Sequence, residues 1–169
     1  MDGRAVRFLM PLIFAACGSS MTVEGNVVRS PSGVAFRVGD VPSEWHRLHV
    51  DDSAVGFNDK DGSSVMVDGR CKMKSDDVPL VALTNQLVAG TTDRSYEKEE
   101  TIPFDGREAR HTVLRAKLDG VPMVWDLYVM KKNGCVYDIA YVAAPEAFSR
   151  GAESFERFAS GFRTLEDSP

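Results

Sequence analysis

Histidine and cysteine are scarce in this chain, three of each among 169 residues, and the scarcity narrows the chemistry it can carry. A zinc site needs several N, S or O side chains that converge. The one ligand-like cluster is His46-Arg47-Leu48-His49 followed by Asp51-Asp52. Three-residue spacing on a strand sends the two imidazoles to opposite faces, which argues against metal binding. Positive charge is also short: 20 Lys and Arg stand against 25 Asp and Glu, a net charge of −5. Without a basic block, nucleic acid and direct docking on anionic lipid are poor fits. Long apolar runs are missing too, and a transmembrane helix needs about 20 such residues in succession. No pattern asks for a cofactor, and no catalytic motif stands above a structural reading, so the chain is expected not to be an enzyme.

What is present starts at the N-terminus. Arg4 and Arg7 precede an apolar run, Phe8–Ala16, and then Cys17-Gly18-Ser19-Ser20. A basic start, a short apolar stretch and small residues before a cut describe a secretory signal. Phe14-Ala15-Ala16-Cys17 resembles the bacterial lipobox, usually Leu-(Ala/Ser)-(Gly/Ala)-Cys, with Phe14 in place of the commoner Leu. The resemblance implies that residues 1–16 are a lipoprotein signal peptide and that Cys17 carries lipid. An ordinary secretory signal with an incidental Cys17 is the rival reading. Each buried CH₂ of an acyl chain contributes about 0.8 kcal/mol, so several chains anchor where one is marginal. Gly18, where lipoproteins retained at the inner membrane carry Asp, implies an outer-membrane anchor facing the periplasm.

With Cys17 lipidated, Cys71 and Cys135 are left as an even pair in an oxidising compartment. A bridge between them would close a loop of about 64 residues and stabilise by roughly 4 kcal/mol on the chain-entropy model. Two separate buried thiols are the alternative.

Residues 17–33 are small and polar without a sustained period, and read as a lipidated tether, with one ordered domain over 34–166. Val34–Val38, Trp45–Val50, Ala54–Asn58 and Ser64–Asp68 are short and partly alternating, and Asp59-Lys60-Asp61-Gly62 suits a hairpin turn. A helix is expected next, with Asp76 and Asp77 at its start, Pro79 in its first turn and Gly90 at its stop. Leu80, Leu83, Leu87 and Val88 would form its buried stripe. Three longer runs, Arg107–Leu118, Val121–Lys132 and Cys135–Ala144, are separated by Asp119-Gly120 and Asn133-Gly134. Both dipeptides suit type I′ turns, so register follows and faces can be assigned. One face, with Leu114, Ala116, Leu118, Val121, Trp125 and Leu127 among its members, is a core face. The other is mixed and carries His111, Arg115, Asp126, Tyr128, Tyr137 and Tyr141. A second helix, about Pro145–Leu165, carries Phe148, Phe155, Phe158 and Phe162 at helical spacing. Strands grouped around one helix, with a final helix packed on them, give an α+β domain on a central antiparallel sheet.

This order of elements resembles the PsbP-like fold, whose members include a photosystem extrinsic protein, a Ran-binding Mog protein and several bacterial lipoproteins. The residues that carry the resemblance are Val34-Ala35-Phe36-Arg37-Val38 with Pro42 and Trp45, and the Phe104-Asp105-Gly106-Arg107 turn. Lys131 through Ile139 and Phe155…Phe158…Phe162 complete it. It covers about residues 34–165 and brings no shared active site. What it implies is a binding or assembly accessory.

The mixed meander face has two readings. In one, Arg115 and Asp126 make a cross-strand salt bridge on a half-covered surface. In the other, Arg115, Asp126, Tyr128, Tyr137 and Tyr141 are a partner-binding face, since Tyr and Arg are enriched at hot spots. Glu97-Lys98-Glu99-Glu100 reads as a solvated edge. The functional expectation is a membrane-anchored, non-catalytic accessory for an envelope protein. A periplasmic carrier of a small apolar ligand or lipid is the alternative, and it needs a cavity of about 300 Å³ or more between sheet and helix.

Overall fold

The computed structural model describes residues 21–30, 33–48, 50, 54–71 and 78–165. Eleven strands and two helices follow one another along these residues. Short strands β1 (Thr22–Glu24), β2 (Val27–Arg29) and β3 (Ala35–Arg37) come first, then β4 (His46–Leu48), β5 (Ala54–Asn58) and β6 (Ser64–Cys71). Helix α1 (Leu80–Leu87) leads to a four-strand meander: β7 (Thr91–Phe104), β8 (Arg107–Leu118), β9 (Val121–Lys132) and β10 (Cys135–Ala143). Helix α2 (Pro145–Ser160) and β11 (Arg163–Thr164) close the chain.

The meander is built on three tight turns. Asp105-Gly106, Asp119-Gly120 and Asn133-Gly134 all hold positive φ, between 45° and 82°. That is the backbone a two-residue hairpin needs to follow strand twist. Register then comes out as the turns dictate, with Leu118 opposite Val121 and Cys135 opposite Lys132. β10 also pairs with β6, which sets Cys71 directly across from Cys135, and the two form the expected disulfide (S–S 2.00 Å, Cα–Cα 4.0 Å). The main sheet is antiparallel in the order β4-β5-β6-β10-β9-β8-β7, and a smaller sheet runs β1-β2-β3-β11.

Both faces of the large sheet are covered, giving three layers. On one, Leu83 and Val88 of α1 pack on Leu114, Ala116, Trp125, Leu127, Val129 and Val136. This is the core face expected from the turns, except at its tip: Leu118 and Val121 lie beside the hairpin turn and are exposed. The opposite face packs under α2 and the small sheet through Phe36, Phe155, Phe158 and Phe162, which are fully buried. Burial of large aromatic and aliphatic groups on this scale is what organises the domain.

Three expectations are corrected, and one segment to which no element was assigned forms a strand. Residues 22–29, read as tether, form the β1–β2 hairpin, because Val28 finds a buried place beneath the core. Pro79 is the cap of α1 rather than part of its first turn, and no side chain caps that end. Thr91–Phe104, which has no apolar periodicity, is the longest strand of all. α2 ends at Ser160 instead of Leu165: Gly161 caps it, and Phe162 then turns into the core ahead of β11. Cys17, His49, Asp51, Asp52, Asp76 and Asp77 lie outside the described residues.

Candidate functional site

The mixed face of the meander is where chemistry gathers, though not in the expected grouping. Tyr128, Tyr137 and Tyr141 keep 8%, 2% and 1% of their surface, so three of the five residues proposed as a partner face belong to the core. α2 lies over them. Tyr141 stacks on Phe148 and Phe155, and Gly151 is what lets the helix approach: a Cβ there would sit 2.1 Å from the Tyr141 hydroxyl. Tyr137 packs edge-on against Phe36 and Phe162. Arg115 stays exposed and pairs across the strands with Glu97 of β7, not with Asp126.

Asp126 instead meets His111. On β8 and β9, His111 stands opposite Tyr128 and Val113 opposite Asp126. The imidazole lies flat on the Tyr128 ring, 4.1 Å between centroids. Its Nε2 is 2.8 Å from Asp126 Oδ1 and its Nδ1 is 3.2 Å from Glu100 Oε1. Two carboxylates flank one ring, so the doubly protonated form donates to both and a neutral tautomer to one. Lys98 in turn reaches Glu100 at 3.7 Å. Burial, followed by the negative charges of Asp126, Glu156 and Glu100, holds the Tyr128 phenol well above the usual tyrosine range, so it stays protonated.

A cleft of about 370 Å³ opens above this group. Lys98, His111, Val113, Asp126 and Tyr128 supply the sheet side, and Phe148, Ser149, Ala152, Glu153 and Glu156 the α2 side. The polar α2 members Ser149, Glu153 and Glu156 recur at i, i+4 and i+7, one flank of a helix, adjoining the phenylalanine stripe. A second cleft of about 310 Å³ shares Tyr128 and Glu156 and continues past Ile102, Phe104 and Asp105 to Ser160 and Arg163. Together they form a groove along the flank of α2 beside β7. Glu100, Glu153 and Glu156 were invisible to reasoning from hydrophobic pattern, because they sit on exposed positions and are brought together only by the packing of α2.

Asp105 closes the far end. Its carboxylate accepts from Lys132 Nζ at 2.9 Å, Thr164 N at 2.9 Å and Thr164 Oγ1 at 2.7 Å. Burial pushes this carboxyl up, but the hydrogen bonds from Lys132 and Thr164 outweigh it and hold the group below the usual range. On the opposite sheet face Asp138 is buried and pairs with Arg70, which also meets Asp68. Burial raises the Asp138 carboxyl despite Arg70.

The Cys71 and Cys135 sulfurs are bonded to each other. Among the described residues no three His, Cys, Asp or Glu side chains converge as metal ligands. Between the sheet and α2 aromatic rings fill the core, and the space left is the pair of open clefts along the flank of the helix. A cleft of about 770 Å³ lies near the start of α1 and has a mixed lining that includes Leu80, Pro103, Arg107, Glu108 and Lys131. No helix among the described residues is long and apolar enough to cross a membrane.

These features define an α+β fold of the Mog1/PsbP type: an antiparallel sheet with one helix before the meander and one after it. Solved structures of that shape are similar over most of the chain. The cyanobacterial PsbP of Synechocystis gives a TM-score of 0.54 at 15% identity, covering 89% of this chain and 96% of that one. The Ran-binding protein Mog1p of Saccharomyces cerevisiae gives 0.56 at 12% identity, covering 88% and 97%. LpqN of Mycobacterium tuberculosis, described as involved in cell envelope biogenesis, gives 0.56 at 9% identity, covering 82% and 89%. No family model matches the sequence, and no curated protein does.

Proposed function

We propose that this protein is a lipid-anchored, non-catalytic accessory of the cell envelope that holds a protein partner in the groove beside α2. The observation that carries the reading is the groove itself. It is an open surface edged by Lys98, Asp126, Glu153 and Glu156, next to a strand edge with no neighbour among the described residues. Its one imidazole spends both nitrogens on carboxylates, which favours recognition over covalent catalysis. A Ran-binding protein and an envelope-biogenesis protein among the similar structures support a partner and an envelope setting. The Cys17 lipobox supports the anchor, and Gly18 an outer-membrane address.

Two measurements in the native cell test this. Labelled palmitate should enter the wild-type chain and not Cys17→Ser, which should leave the membrane fraction. Photo-crosslinkers placed at Ile102 and Glu156 should capture one recurrent envelope protein, and one at Val81 on α1 should not. A membrane-bound Cys17→Ser removes the anchor. Equal capture from all three positions removes the groove as the binding surface.

A further inference from the structure

β7 ends the main sheet, and among the described residues no strand pairs with its outer side. Natural edges of this length are normally blunted by bulges, charge or cover. The first half of β7 is blunted in that way. Asp93 holds φ of 53°, and the register slips between Thr92 and Ser95 and again between Tyr96 and Lys98. From Lys98 to Phe104 the register against β8 runs without interruption. As far as Ile102 this half is a regular edge whose outward N–H and C=O groups can accept another strand, and Pro103, which has no N–H, ends it.

Alternation places Lys98, Glu100 and Ile102 on the α2 side of that stretch, across from Val113, His111 and Ala109. An added strand would therefore point every second side chain toward the groove. Carboxylates dominate there. Asp126, Glu153 and Glu156 edge the cleft against a single lysine, and Glu156 has no ion-pair partner among the described residues. Val113, Phe148 and Tyr128 supply apolar surface for an aliphatic stem carrying a cation.

Resting on the partner-binding reading above, we propose the chemistry of that partner: an extended, basic protein segment. It adds to β7 over Lys98–Ile102 as a further antiparallel or parallel strand and places a Lys or Arg side chain in the cleft beside α2. Backbone hydrogen bonds supply affinity and the cleft supplies selectivity, the division of labour usual when a strand is added to a sheet edge. A second copy of this chain is a poorer occupant. Pairing β7 with itself brings Glu97, Glu99 and Glu100 near their own counterparts, and like charges across strands destabilise.

The test uses the isotopically labelled full chain in detergent and capped nine-residue peptides, one alternating Lys with Thr and one alternating Glu with Thr. The Lys peptide should shift the amides of residues 98–102 and 149–156 and leave α1 unmoved, and the Glu peptide should shift none. Glu153→Gln with Glu156→Gln should weaken the Lys peptide about tenfold, the loss expected for charge-assisted contacts. N-methylating alternate peptide residues should abolish binding in one phase of the alternation and spare it in the other. Equal binding of Lys and Glu peptides, equal loss in both methylation phases, or no binding at all overturns the proposal. So does concentration-dependent dimerisation that moves the same amides. If the peptides fail while the Ile102 and Glu156 crosslinks still capture their protein, only the basic strand is refuted and the partner-binding reading stands.

Discussion

β10 and β7 belong to one sheet and live in opposite surroundings. β10 lies between β6 and β9 with a layer on either face, and eight of its nine residues are buried. β7 is fourteen residues long, and only Phe104 at its end is buried. What holds β7 is its hairpin with β8 and a ladder of polar contacts, ion pairs from Glu97 to Arg115 and Glu99 to Arg110 and a contact of Glu100 with His111. Exposed pairs of this kind are worth about 0–1 kcal/mol each. The difference separates two tasks: the centre of the sheet secures the fold, and the edge is free to vary with little thermodynamic consequence.

That separation can be broken, or made sharper, by substitution. Tyr141→Ala removes a buried ring from beneath α2 and should cost about 3–5 kcal/mol, the range for large aromatic truncations. Urea unfolding measures it, and a loss under about 1 kcal/mol would mean that α2 is not what secures the centre. Replacing Cys71 and Cys135 together with alanine should cost about 2–4 kcal/mol by releasing a long loop in the unfolded chain. The shift in urea midpoint should disappear when wild type is compared under reductant.

Asp105→Asn should cost about 1–2 kcal/mol at neutral pH, as expected for losing charge-assisted bonds to Lys132 and Thr164. The sign with pH follows from a carboxyl whose folded value is depressed. Its stabilisation is present above the unfolded value, about 3.9, and is lost as pH falls through the lower folded value. The wild-type and Asp105→Asn acid-unfolding curves should therefore converge below that range, and a constant gap would exclude the linkage. The smallest effect belongs to the edge. Thr101→Ala should leave stability within about 0.5 kcal/mol. A loss above 1 kcal/mol in thermal unfolding would show that β7 contributes to the core after all.

The same contrast explains what could be read from the residues alone. β8, β9 and β10 were legible because two-residue Asp-Gly and Asn-Gly turns fix register and each strand has an apolar side. α2 was legible from its phenylalanine spacing, though its end was not, because Phe162 serves the core as well from a coil as from a helix. β7 was opaque as an element. Exposed on both sides, it carries no period for burial to print. The site was half legible. Register correctly set Asp126 across from Val113 and beside Tyr141, but nothing in it showed that α2 would cover the tyrosines. Nor could it bring Glu153 and Glu156 over His111, since those contacts join elements far apart in the chain.

The β1–β2 hairpin sets a leash length. It begins at Thr22, so Gly18 to Met21 alone separate it from Cys17. At roughly 3.6 Å per residue, five peptide steps span no more than about 18 Å. An acyl chain on Cys17 would hold the small sheet within about 2 nm of the bilayer surface, too close for the domain to roam. Its working radius would be that of a membrane-hugging adaptor, and its partners would be proteins whose exposed segments lie at the same height.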